Sequence, residues 1–239
     1  MDAIQAMMNW VGRHMVGKET VRSRNELPPS RLGRSLARPR LMTVLVLALL
    51  AATACTGGKE GPADQVVAGT EHVCSSCHGA DGRSVSPTFP RLAGQQEAYI
   101  AVQLKAFRDH SRADPHAHTY MWGMAARLTD PTIDGLAAFY AKQPPAPGTK
   151  TGQAEMAAGE KIFREGIAAT EVPACIACHG EKAEGAGVIP RLAGQHRGYL
   201  ERQLKAFAST ARANEIMHEN SKNMTTEQIS QVAAFLTAQ

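Results

Sequence analysis

Aromatic residues make up only 5% of the 239-residue chain, too few for a large core packed mainly from Phe, Tyr and Trp. No segment of useful length alternates apolar and polar residues, so β-sheet is excluded and the chain is predicted to be all-α. The one long apolar run, residues 41–54, has 14 residues, whereas a membrane-spanning helix needs about 20. Most of the chain also lacks the formal charge of +4. Residues 1–54 hold eight Lys/Arg against three Asp/Glu, and the remainder holds 18 against 19. That balance argues against nucleic acid or an anionic membrane surface as a partner of the body of the protein.

The apolar run follows an arginine-rich stretch (Arg31, Arg34, Arg38, Arg40) and ends in Ala52-Thr53-Ala54-Cys55. Positive charge, apolar core and small residues in that order are the layout of an export signal, and residues 1–55 are assigned to it. Cys55 is the odd one of five cysteines. Two readings stay open for it. It is either the lipid-carrying mature N-terminus of a lipoprotein, anchored to the membrane, or a free thiol left by ordinary cleavage. In both cases the product works outside the cytoplasm.

The other four cysteines form two matching stretches, Cys74-Ser75-Ser76-Cys77-His78-Gly79 and Cys175-Ile176-Ala177-Cys178-His179-Gly180. A Cys-x-x-Cys pair alone is compatible with a thioredoxin-like redox site or half of a zinc site. Neither needs a histidine directly after the second cysteine, and no βαβ pattern surrounds the pairs. Cys-x-x-Cys-His is the attachment pattern of c-type haem: both thiols join the haem vinyl groups, and the adjacent imidazole becomes an axial iron ligand. The chain is therefore predicted to carry two covalent haems, held by Cys74, Cys77, Cys175 and Cys178, with His78 and His179 on the irons. Two porphyrins also supply apolar core that domains of about 90 residues otherwise lack.

The repeat extends well beyond these stretches. Between residues 90–112 and 190–212, 13 of 23 positions are identical, beginning with the shared Pro-Arg-Leu-Ala-Gly-Gln. The chain is a duplication, with domains at 56–145 and 146–239 joined by a Pro/Gly-rich linker. Each shared turn leads into a helical stripe expected to face the core, including a haem face: Tyr99, Val102, Gln103, Ala106 and Phe107 in the first half, Tyr199, Gln203, Leu204 and Phe207 in the second. Thr129 and Thr225 start the terminal helices, the latter in a capping box with Gln228. Residues 63–73 and 154–164 form the helices that lead to each haem motif.

Aligning the terminal helices selects the opposite axial ligand. Met121 lies seven residues before Leu128, and Met217 seven before Met224, with Thr next in both. Met124 falls opposite Asn220 and has no methionine twin. Met121 and Met217 are thus the candidate thioether ligands. His110, His116 and His118 are taken as surface residues.

The paired Cys-x-x-Cys-His-Gly, the Pro-Arg-Leu-Ala-Gly-Gln turn followed by Tyr and Gln-Leu, the late Met and the Ala-Ala-Phe segment together resemble the dihaem cytochrome c4 family, from about residue 63 to the C-terminus. The resemblance implies two tandem class I cytochrome c domains related by pseudo-twofold symmetry, passing single electrons in the periplasm from a quinol-oxidising complex or dehydrogenase towards a terminal oxidase. It also implies that the carbonyls of Pro90 and Pro190 hold the far nitrogens of His78 and His179. The alternatives are a dihaem peroxidase-like enzyme, which needs an openable distal position, and a cytochrome subunit fixed to a membrane oxidoreductase.

Overall fold

The structure, a computed structural model, describes residues 62–239. Residues 1–55, expected to be an export leader, and with them Cys55, lie outside the described residues. Among the described residues there is no strand, only two isolated bridges, Ile167–Val172 and Ala186–Ile189. None of the helices among the described residues is long and apolar enough to cross a membrane.

The first half contains α1 (Pro62–His78), α2 (Glu97–Arg108), a π-helical turn (Ala117–Met121), α3 (Trp122–Ala125) and α4 (Asp130–Lys142). The second contains α5 (Gln153–Glu165), a short 3-10 turn (Ala168–Thr170), α6 (Ile176–His179), α7 (Arg197–Ala208), α8 (Glu215–Ser221) and α9 (Thr226–Ala238). In each half the first and last helices cross and the middle helix closes the core. Ile100, Leu136, Ala137 and Tyr140 form that core in the first half. Ile162, Phe163, Leu200, Val232, Phe235 and Leu236 form most of it in the second.

The caps are local and match expectation. The Thr129 side chain accepts from the Thr132 N–H at 3.4 Å. Thr225 and Gln228 close a reciprocal capping box, at 3.2 and 2.9 Å.

The approaches to the haem motifs differ between the halves, and only the first, expected to end at residue 73, departs from the sequence-based expectation. α1 runs unbroken through residues 74–78, whereas α5 stops at Gly166, whose φ of +74° only glycine adopts readily. A Cβ there would also strike the Val172 carbonyl and the Pro173 backbone. The chain then loops back to start the short α6.

The middle-helix stripes divide between two surfaces. Val102, expected in the core, is exposed, while Ile100 and Leu200 take the core positions at 6% and 5% exposure. Tyr99, Gln103, Tyr199 and Gln203 face the other half instead. There Arg112 donates to Gln103 and Gln203, and Arg212 to Tyr99 and both glutamines. Each guanidinium lies over the phenylalanine of its own half, Phe107 or Phe207, at 4.7 and 4.6 Å from the ring centroid. Asp114, 2% exposed, accepts from Arg112 Nε at 2.9 Å and has an asparagine, Asn214, at the matching offset. This seam is a closed polar network, the condition under which buried charge is tolerated.

Candidate haem sites

Each shared Pro-Arg-Leu-Ala-Gly-Gln turn is pinned at three places. The Leu92 and Ala93 N–H groups donate to the Gly82 carbonyl at 2.7 and 3.2 Å, and Leu192 and Ala193 do the same to Ala183 at 2.8 and 3.1 Å. Gly94 N–H donates to the Tyr140 carbonyl, and Gly194 N–H to that of Leu236, tying the turn to the terminal helix. The glutamine side chains reach across the seam: Gln95 holds the backbone of Arg191, and Gln195 that of Arg91. So pinned, the turn presents its proline carbonyl to the histidine.

His78 Nδ1 donates to the Pro90 carbonyl at 2.8 Å, and His179 Nδ1 to the Pro190 carbonyl at 3.1 Å. With the proton held on Nδ1, Nε2 carries the free lone pair that a metal requires. Burial lowers the pKa of both imidazoles, opposed by the proline bonds, so both stay neutral at pH 7, the ligating form. Burial, reinforced by Glu71, raises the Cys74 thiol. Burial pushes Cys175 to about 11. Cys77 and Cys178 are exposed. Two thiols and a neutral, oriented imidazole on one helix end are the donor set that fits a covalently held haem.

The two methionines sit on different local structures. Met121 ends the π-helical turn and packs against Phe107, Ala117 and Ala125. Met217 lies in α8, where the Asn214 side chain accepts from its N–H at 2.8 Å and Ser221 donates to its carbonyl at 2.6 Å. Both are half-buried, whereas Met124 is 58% exposed. His110 stacks on Trp122 at 4.0 Å, His118 meets the same ring edge-on, and His116 meets Tyr120 edge-on. His110 and His118 are exposed, but His116 is half-buried. In the first half His78, Phe89 and Tyr120 form a chain of ring contacts, at 6.1 and 5.4 Å, linking the motif histidine to the loop of Met121. Ile189 and Ile216 occupy the matching positions of the second half.

Sequence reasoning missed two features. The seam of Arg112, Arg212, Gln103 and Gln203 was visible as polar identities in the repeat that no haem site requires. The second feature is a pair of buried polar atoms, Glu71 Oε1 and Tyr140 Oη, neither with a hydrogen-bond partner. The phenol packs in the same cluster as Cys74. Glu71 and Tyr140 stand opposite Val172 and Leu236, so no repeat signal marked them.

An all-α fold built around two Cys-x-x-Cys-His motifs, each with a carbonyl-tethered histidine, defines a c-type cytochrome. The family model for cytochrome c matches residues 66–143 and 156–239. The chain is 40% identical over 200 residues to cytochrome c-552 of Acidithiobacillus ferridurans, covering 83% of this chain and 86% of that one. It is 38% identical to a thiosulfate dehydrogenase electron acceptor of Thiomonas intermedia, covering 70% and 78%. The solved structure of Acidithiobacillus ferrooxidans cytochrome c4 superposes with a TM-score of 0.67 at 42% identity, covering 70% of this chain and 98% of that one. The chain belongs to the cytochrome c4 family, dihaem electron-transfer proteins of two tandem cytochrome c domains. Its cofactors are two haem c.

Proposed function

We propose that this protein is a periplasmic electron shuttle in which each haem is closed on both faces. Cys74 and Cys77 hold one haem and Cys175 and Cys178 the other. His78 with Met121, and His179 with Met217, are the axial pairs. The haem supplies the reversible one-electron couple. The chain's own groups do the rest: the proline carbonyls of Pro90 and Pro190 fix each imidazole, and the thioethers occupy the position a substrate would need. The domain boundary lies at 145/146, and export depends on residues 1–55, with Cys55 the point of lipid attachment if the signal is of the lipoprotein type.

The observation that carries this reading is the repetition of one geometry, a buried histidine tethered through Nδ1 to a proline carbonyl, in both halves. An enzyme would need one half to differ at the ligand. Electrons come from a quinol-oxidising complex or a dehydrogenase and pass to a terminal oxidase through small, weak encounters. The relative named as an electron acceptor of thiosulfate dehydrogenase supports the dehydrogenase side of that route.

Spectroelectrochemical titration with magnetic circular dichroism tests it. Two one-electron waves, both with histidine–methionine signatures, are expected, together with loss of one signature in Met121→Ala. Rapid carbon monoxide binding by the reduced protein with peroxide turnover would replace the shuttle by a peroxidase. Intact mass of the membrane fraction decides the lipid on Cys55.

A further inference from the structure

Each candidate ligand histidine is joined to the opposite half through a single peptide group. The Pro90 carbonyl accepts from His78 Nδ1 at 2.8 Å, and the N–H of the same peptide, that of Arg91, donates to Gln195 Oε1 at 2.9 Å. In the second half the Pro190 carbonyl accepts from His179 Nδ1 at 3.1 Å, and the Arg191 N–H donates to Gln95 Oε1 at 2.7 Å.

The glutamines cannot turn away from these contacts. Gln195 Nε2 donates to the Arg91 carbonyl at 2.9 Å and Gln95 Nε2 to the Arg191 carbonyl at 3.0 Å. Both side chains are buried, at 7% and 6% exposure for Gln95 and Gln195. Amide rotamers are thus fixed with oxygen towards the ligand-bearing peptide. The seam has other means of holding together, since the Arg112 and Arg212 network touches neither peptide.

We propose that Gln95 and Gln195 are positioning residues that set the donor strength of the histidine in the opposite half, so that each half tunes the reduction potential of the other. The proposal rests on the histidine ligation above. An acceptor on a peptide N–H polarises that peptide and makes its carbonyl a stronger acceptor. A stronger acceptor draws on the Nδ1 proton and raises the basicity of Nε2. A more basic imidazole favours ferric over ferrous iron and lowers the potential.

The test is a potentiometric titration of the dihaem protein carrying Gln195→Leu or Gln95→Leu. Met121→His and Met217→His, each of which displaces its own wave strongly, assign the two waves. Gln195→Leu is expected to raise the potential of the haem on Cys74 and Cys77, by about threefold in the one-electron equilibrium constant, or about 28 mV at 59 mV per tenfold. It should leave the haem of its own half in place and speed hydrogen exchange at the Arg91 amide. Gln95→Leu should show the mirror pattern. Gln195→Glu, which keeps an acceptor, serves if the leucine variant fails to load both haems; it is expected to lower the same wave. Tyr99→Phe removes a seam hydrogen bond remote from both peptides and should move neither wave. Shifts confined to the mutated half, no shift with both haems attached, or an equal shift in Tyr99→Phe would each overturn the proposal. Failure of the methionine variants to move any wave would fault the ligand assignment instead.

Discussion

The two halves use the same helix crossing but place its small residue on opposite helices. In the first half Gly135 of α4 faces Val67 of α1; in the second, Gly159 of α5 faces Gln231 of α9. Gly135 and Gln231 are equivalent by the offset that aligns Thr129 with Thr225. A close crossing needs one missing Cβ, and either helix can provide it. The contacts around the Pro90–Arg91 and Pro190–Arg191 peptides behave differently: the proline carbonyls, the glutamine arms and the turn anchored on Gly82 or Ala183 occur in both halves. Packing has diverged wherever a complementary change could keep the fit. The directional hydrogen bonds to these two peptides have not, because each must meet both a histidine Nδ1 and a glutamine Oε1 at once.

The comparison can be broken most severely at the attachment sites. Replacing Cys175 and Cys178 by Ala should lower covalent haem from two per chain to one and leave the first-half spectrum intact, as pyridine haemochrome assays of the purified protein would read. Next comes the seam. Arg112→Ala leaves Asp114 buried without its ion-pair partner and should cost about 3–5 kcal/mol. Arg212→Ala, with no carboxylate on its own half, should cost less in the same denaturant titration. Burial alone would raise the Asp114 carboxyl, but the charge and hydrogen bond of Arg112, with Arg212, hold it below the usual range. A folded value below the unfolded one of about 3.9 adds stability above the unfolded value, and that stability is lost as pH falls through the folded value. Asp114→Asn should flatten that acid limb.

The glycine exchange predicts a smaller, unequal pair. Gly159→Ala drives its methyl into the backbone carbonyl of Gln231, whereas Gly135→Ala meets only the end of the Val67 side chain. Thermal unfolding should therefore show about 3 kcal/mol for the former and about 1 for the latter, the range of overpacked cores. The smallest effect concerns Glu71. Its carboxylate, after burial and Cys74, contributes to a raised pKa of the Tyr140 phenol, and the second half has no such charge. Glu71→Gln should raise the first haem's potential by about 1 kcal/mol, the scale of one charge at intermediate dielectric, and Val172→Glu should lower the second's. Unmoved potentials in both variants would mean that solvent screens the site.

What could be read from the sequence was local or repeated. The haem motifs, the caps of Thr129 and Thr225 and the equivalence of Met121 with Met217 all depend on short spacings or on one half echoing the other. The end of α5 was legible to within one residue, but the continuation of α1 through residues 74–78 was not, because whether a helix runs on into its motif is decided by tertiary packing, here that of Cys74 against the cluster of Tyr140. Val102 was misplaced since two adjacent stripes share α2, and only tertiary contact decides which faces the core. Asp114 was invisible for the opposite reason: it has no twin, so the repeat could not mark it.

The segment between the halves was expected to be a linker, and in the structure it is held down along its length. Arg83 donates to the Pro144 carbonyl at 2.9 Å and Arg91 to that of Pro147 at 3.3 Å. Ala146 is 9% exposed, and Thr149 N–H donates to the Thr237 carbonyl at 2.8 Å. A tether fixed in this way adds little to the local concentration of one half about the other, because the halves are already in contact through the seam. Cleavage at the exposed residues near Lys150 should therefore yield two fragments that elute as one particle. For this molecule, covalent continuity matters during assembly more than in the finished protein.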